Sequence, residues 1–174
     1  MGSIRVAALC ACLAVSTTAR AQLPRPAPSA LPQWAIDTSA RLRPALATVA
    51  GIRLGMNESR VRSLLGHPDT SFAYESPVLD SARVLRYPTA EAVLNAAGVQ
   101  TFRCWGRSCG LPGGIRIGSS LQAVVASLGR GHPGYGHQLS HSLFYYVGGC
   151  DCWLEVRFTS SLRVDLITLE SDNS

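Results

Sequence analysis

The chain has 174 residues, 47% hydrophobic and 16% charged, which suits about one domain with a buried core and excludes disorder. All sixteen basic residues are Arg, and the formal charge of +5 is spread thinly, which excludes a dense basic tract of the kind that binds nucleic acid. Sixteen Gly and ten Pro argue against a helical bundle, and the longest apolar run, Val6 to Val15, is far short of the roughly 20 residues that a membrane-spanning helix needs.

Met1 to Arg5 carries one positive charge, an apolar stretch follows, and Ala19-Arg20-Ala21 ends it with a small-x-small pattern. This order predicts a secretory signal peptide over residues 1–21, cut after Ala21. A lipoprotein signal read on Leu9-Cys10-Ala11-Cys12 would leave Val6 to Leu9 as the apolar core, below the roughly 7 residues required, so membrane anchoring is not expected. Loss of Arg5 and Arg20 with the signal leaves 14 Arg against 11 acids, a charge of +3. Four cysteines also remain, Cys104, Cys109, Cys150 and Cys152. An even number in an exported chain reads as two disulfides.

Residues 22–33 form a Pro-rich tether and residues 34–50 a mixed lead-in, with a short helix broken at Pro44. Gly51-Ile52-Arg53-Leu54-Gly55 then recurs as Gly114-Ile115-Arg116-Ile117-Gly118, an offset of 63, and Val61, Leu65 and Gly66 recur as Val124, Leu128 and Gly129. The division expected from this repeat is 51–113 and 114–174. Asn57 and Ser120 are suited to cap a helix in each unit, Ser119 with Gln122 offers a capping box instead, and Gly66 and Gly129 end the helices. Val61, Leu64 and Leu65, and Leu121, Val124, Val125 and Leu128, form the apolar stripes. Strands are predicted at Arg83 to Tyr87, Glu91 to Leu94, Val99 to Phe102, Leu143 to Val147, Trp153 to Phe158 and Arg163 to Ile167. The expected class is α+β, two tandem helix-plus-antiparallel-hairpin repeats sharing one open antiparallel sheet.

The run Ile52-x-x-Gly55-Met56, then Val61, Leu65-Gly66-x-Pro68 and a hairpin carrying Tyr87, resembles the SmpA/OmlA (BamE-type) outer-membrane assembly lipoproteins. The tandem arrangement is similar to the β-lactamase-inhibitor fold, in which two such units make a concave sheet. The resemblance implies a non-enzymatic protein-binding module of the bacterial envelope, tied to outer-membrane assembly or maintenance, or a secreted inhibitor of a hydrolase such as a β-lactamase. Its partner would be another envelope or secreted protein.

Catalytic signals are sparse. Gly106-Arg107-Ser108-Cys109-Gly110 fits the nucleophile-elbow pattern, but Leu111-Pro112-Gly113-Gly114 forbids the helix that must follow. His132, His137 and His141 offer three imidazoles for Zn²⁺ or Cu²⁺, the basis of an alternative small metal-dependent enzyme, with no carboxylate inside the segment to complete the shell. A four-cysteine zinc site is disfavoured by the oxidising compartment. No cofactor, resident metal or catalytic residue is therefore expected.

Docking is the reading that remains. Tyr87, Tyr145, Tyr146 and Trp153 fall on or beside predicted strands, and aromatic residues are frequent interface anchors. Alternation sends Tyr145 and Tyr146 to opposite sheet faces. For the disulfides, two strand residues are about 6.6 Å apart, too far for a direct Cys150–Cys152 bridge if the strand is extended. The spacing favours cross-links from Cys104 and Cys109 to the second hairpin, with local pairing, eased by Gly148-Gly149, as the alternative.

Overall fold

The computed structural model describes residues 30–74, 81–134 and 141–172. The expected signal peptide, the first eight residues of the tether and His137 lie outside them. Two helices form where their caps predict. In α1 (Glu58–Leu65) the Asn57 side chain accepts from the Arg60 amide at 3.0 Å, and Gly66 takes φ +84° at the other end. In α2 (Leu121–Leu128) the Ser120 hydroxyl accepts from the Ala123 amide at 3.2 Å. Ser119 does not form the alternative box: its hydroxyl accepts from the Arg116 amide at 3.0 Å, upstream of the helix. At eight residues neither helix is stable alone, and each is held by its buried side chains, Val61 in α1 and Leu121 with Val124 in α2. Leu64, expected on the apolar stripe, is exposed instead.

Among the described residues nine strands make one sheet. They are β1 (Arg41–Leu42), β2 (Thr70–Tyr74), β3 (Ala82–Tyr87), β4 (Ala90–Asn95), β5 (Gly98–Cys104), β6 (His132–Pro133), β7 (Ser142–Val147), β8 (Cys152–Phe158) and β9 (Val164–Ser171). Their order is β1-β7-β8-β9-β5-β4-β3-β2, with β6 paired to β7 off that path. The lead-in contributes β1 and two 3-10 turns, Gln33–Ala35 and Pro44–Leu46, in place of a broken helix.

This architecture corrects the expected fold class. Two tandem helix-plus-hairpin repeats sharing one open antiparallel sheet are not what forms: among the described residues the strands make a nine-stranded mixed sheet, which β1 joins parallel to β7. The expectation failed because short-range patterns define helices and hairpins, whereas β1–β7 and β5–β9 are pairings between segments far apart in sequence. The β5–β9 pairing, with Phe102 opposite Leu169 and Cys104 opposite Ile167, joins the two halves of the sheet.

One face of the sheet holds the core. Leu85, Ala92, Phe102, Leu169, Leu154 and Tyr145 point to this side and cluster with Val61, Leu121 and Val124 of the helices and with Ala35, Leu42, Val49 and Ile52 of the lead-in. Period-two alternation sends the intervening residues to a face that neither helix covers. Val84 lies there, buried yet outside the core cluster.

The disulfides are local, Cys104–Cys109 and Cys150–Cys152, against the favoured cross-links. Cys104 faces Ile167 on β9 while Cys152 faces Ser171. Four residues of strand separate those levels, about 13 Å, so no cross-link spans them. Cys150 stands outside β8 in the turn, and its Cα lies 5.3 Å from that of Cys152, inside the range a disulfide requires.

Candidate functional site

The docking aromatics divide by strand alternation. Tyr87 and Tyr145 point into the core, 5% and 1% exposed, which removes both from the docking surface. The Tyr145 hydroxyl donates to the Gly129 carbonyl at 3.1 Å, closing the end of α2 onto β7, and burial pushes its pKa up. The Tyr87 hydroxyl is buried with no hydrogen-bond partner among the described residues, and burial raises its pKa too. An unsatisfied buried hydroxyl costs about 1–3 kcal/mol of desolvation. Tyr87→Phe is therefore expected to raise unfolding stability by about 1 kcal/mol in urea titrations; a loss of that size would place a partner on the hydroxyl.

Tyr146 and Trp153 go to the helix-free face, where they are direct cross-strand partners. They belong to one row that crosses the whole sheet: Arg41, Tyr146, Trp153, Glu170, Thr101, Val93, Val84 and Phe72 are successive partners from β1 to β2. The Tyr146 ring is 45% exposed and meets His132 edge-on, with centroids 4.8 Å apart. His132 also places Nε2 at 3.2 Å from the Ala40 carbonyl oxygen, so this imidazole braces Tyr146 against the lead-in.

Most charges of the face are paired. Arg86 donates to Glu91 at 2.8 Å, Arg157 to Asp165 at 3.0 Å, and the Ser142 hydroxyl to Glu155 at 2.7 Å. Glu170 differs. Half-buried beside Trp153, its carboxylate has no hydrogen bond or ion pair among the described residues. Burial pushes its pKa up, Arg103 pulls it partly back, and Glu155 adds to the rise. The sequence reading missed Glu170 because it ended the last strand at Ile167. Thr168 and Glu170 continue the alternation beyond that point, and the signal was there to be read.

A groove of about 710 Å³ opens at one end of the core, between the lead-in and the sheet. Ala47, Leu54, Val99, Val147 and Leu169 supply apolar wall, and the Cys150–Cys152 disulfide adds to it. Its buried polar groups are satisfied internally: the Ser171 hydroxyl donates to Gln100 at 3.0 Å, and Gln100 donates to the Gly98 carbonyl at 3.1 Å.

The remaining expected features stay apart. The turn around Ser108 is followed by no helix, with residues 111–114 in a further turn. Among the described residues no group of three or more His, Cys, Asp or Glu side chains is placed to hold a metal ion, and no helix is long and apolar enough to cross a membrane.

What fold and site define is a mixed nine-stranded sheet with two short helices on one face and a partly charged aromatic row on the other. Solved structures that share this fold include the following two. One is an extracellular protein containing a SCP domain from Bacillus anthracis str. Ames, at TM-score 0.54 and 12% identity over 69% of this chain and 44% of that one. The other is a cysteine-rich secretory protein from Staphylococcus aureus subsp. aureus Mu50, at TM-score 0.54 and 13% identity over 79% of this chain and 50% of that one. The chain thus spans about half the length of each, and at such identities the likeness is one of fold. No protein-family model matches the sequence, and no curated protein is significantly similar to it. These likenesses replace the expected kinship with the SmpA/OmlA lipoproteins and the β-lactamase-inhibitor fold. The motif behind that kinship, Gly55-Met56 with Leu65-Gly66-x-Pro68, frames a capped helix and its exit, a local device that specifies no fold.

Proposed function

We propose that this chain is an exported, non-enzymatic protein-docking module whose partner presses a basic side chain against Trp153 and Glu170. The observation that carries this reading is the half-buried carboxylate of Glu170, which among the described residues has no hydrogen bond or ion pair, beside an outward-facing indole. A guanidinium laid on the indole would find both a π face and a counter-ion, and it would end the cost of holding that carboxylate unpaired. Tyr146 and Thr101 flank the pair and extend the contact along the row. Export is supported by the signal-like N-terminus, by two disulfides, and by the extracellular and secretory proteins that share the fold.

The test is quantitative capture from envelope and culture-fluid fractions with the wild type, Trp153→Ala and Glu170→Gln side by side. A true partner is retained by the wild type and weakened about 30-fold by Trp153→Ala, the size of an interface hot spot. Glu170→Gln should weaken it as well. Acidification below the raised pKa of Glu170 should do the same, because protonation removes the counter-ion. Folding stability moves the other way: a carboxyl with a raised native pKa binds its proton more tightly when folded, so this group favours the folded state as pH falls. Proteins held equally by all three forms, or a partner found only in the cytosol, would defeat the reading.

A further inference from the structure

The two ends of the sheet are built differently. At one end β1 has two residues, and the neighbouring β6 has two and includes Pro133. Both features blunt an edge against further strand pairing. At the other end β2 has five residues, Thr70-Ser71-Phe72-Ala73-Tyr74, and is paired only to β3. It contains no charge and no proline, and its register with β3 is unbroken by a bulge. Among the described residues no strand meets its outer main-chain groups. Phe72 at its centre is 42% exposed, with the Arg86 guanidinium 5.6 Å from the ring centroid.

We propose that β2 pairs antiparallel with β2 of a second copy of this chain, about a two-fold axis at Phe72. In that register Phe72 of one copy lies opposite Phe72 of the other, and Thr70 lies opposite residue 74. An uncharged strand brings no like charges together across the axis, and a directly opposed aromatic pair is favourable. Arg86 is already committed to Glu91 within its own chain. Among the described residues the pairing uses the one sheet edge that is not blunted in each copy and leaves the blunted ends outermost, so assembly closes at two chains and does not run on as a fibre. It is independent of what docks on the helix-free face. Five residue pairs bury less than the ~1,200 Å² of a standard interface, so dissociation in the range of about 10–100 µM is expected.

Sedimentation equilibrium of the disulfide-bonded chain from ~1 µM to about 1 mM, a range that brackets that constant, is the experiment. The expected mass rises from one chain to two and no further, and Phe72→Lys, which sets two charges against each other at the axis, weakens the dimer at least about tenfold. A chain that stays monomeric, one that grows past the dimer, or a Phe72→Lys variant that dimerises unchanged would each overturn the proposal. Should Phe72→Lys fail to fold, Phe72→Cys and Thr70→Cys replace it. The first brings two thiols together at the axis and cross-links under mild oxidation. The second leaves them about 13 Å apart along the strand and does not, and equal cross-linking by both would overturn the pairing.

Discussion

Gly98→Ala is expected to destabilise the fold by about 3 kcal/mol, a large share of the 5–15 kcal/mol that holds a domain together. Gly98 opens β5 with φ +100°, a left-handed conformation that costs an L side chain about 1 kcal/mol. A Cβ there would also land on the main chain of Gly55 and Met56. Those two residues are tied to Val99, with the Gly55 amide donating to the Val99 carbonyl at 2.8 Å and the Val99 amide donating to the Met56 carbonyl at 2.9 Å. Making room means stretching both bonds, each worth about 1 kcal/mol. Urea unfolding of the variant measures the sum. A change below about 1 kcal/mol would mean that the 54–56 loop yields without resistance.

Phe102→Ala should cost about 3–5 kcal/mol, the usual range for deleting a buried aromatic. Phe102 is fully buried at the middle of the sheet, opposite Ala92 on one side and Leu169 on the other. Because β5 and β9 are the strands that join the two halves, the loss should be shared by the entire molecule. Far-ultraviolet circular dichroism and tryptophan fluorescence, with Trp34, Trp105 and Trp153 distributed along the chain, should report one coincident transition in wild type and variant. Two separated transitions would mean that the halves fold independently. The exposed Phe72, by contrast, has no core contact to lose.

Both effects arise where segments distant in sequence meet, and the same boundary separates what was legible in the sequence from what was not. The helix ends could be read because Asn57, Ser120, Gly66 and Gly129 act on amides and carbonyls within a few residues of themselves. The opposite orientations of Tyr145 and Tyr146 were readable because strand geometry alternates whatever lies around it. β2 was not legible: both its faces are exposed, so burial left no imprint on Thr70 to Ala73, and no strand was predicted there. Nor was β1, two residues whose pairing partner, β7, lies about a hundred residues further along the chain.

By itself the sequence determined the local devices of this protein: capped helices of two turns, alternating strands, an even set of cysteines and a signal-like start. Tertiary structure decided which of those devices meet. It set Cys104 and Cys152 four residues apart in level along β9 and so made both disulfides local, it took Tyr87 and Tyr145 into the core, and it half-buried Glu170 beside Trp153 with no ion pair among the described residues. The physical reason is range. Caps, turns and pleat alternation act over a few residues of chain, whereas strand order, burial and the desolvation of a carboxylate depend on neighbours from distant parts of the sequence, and these are fixed only when the entire sheet assembles.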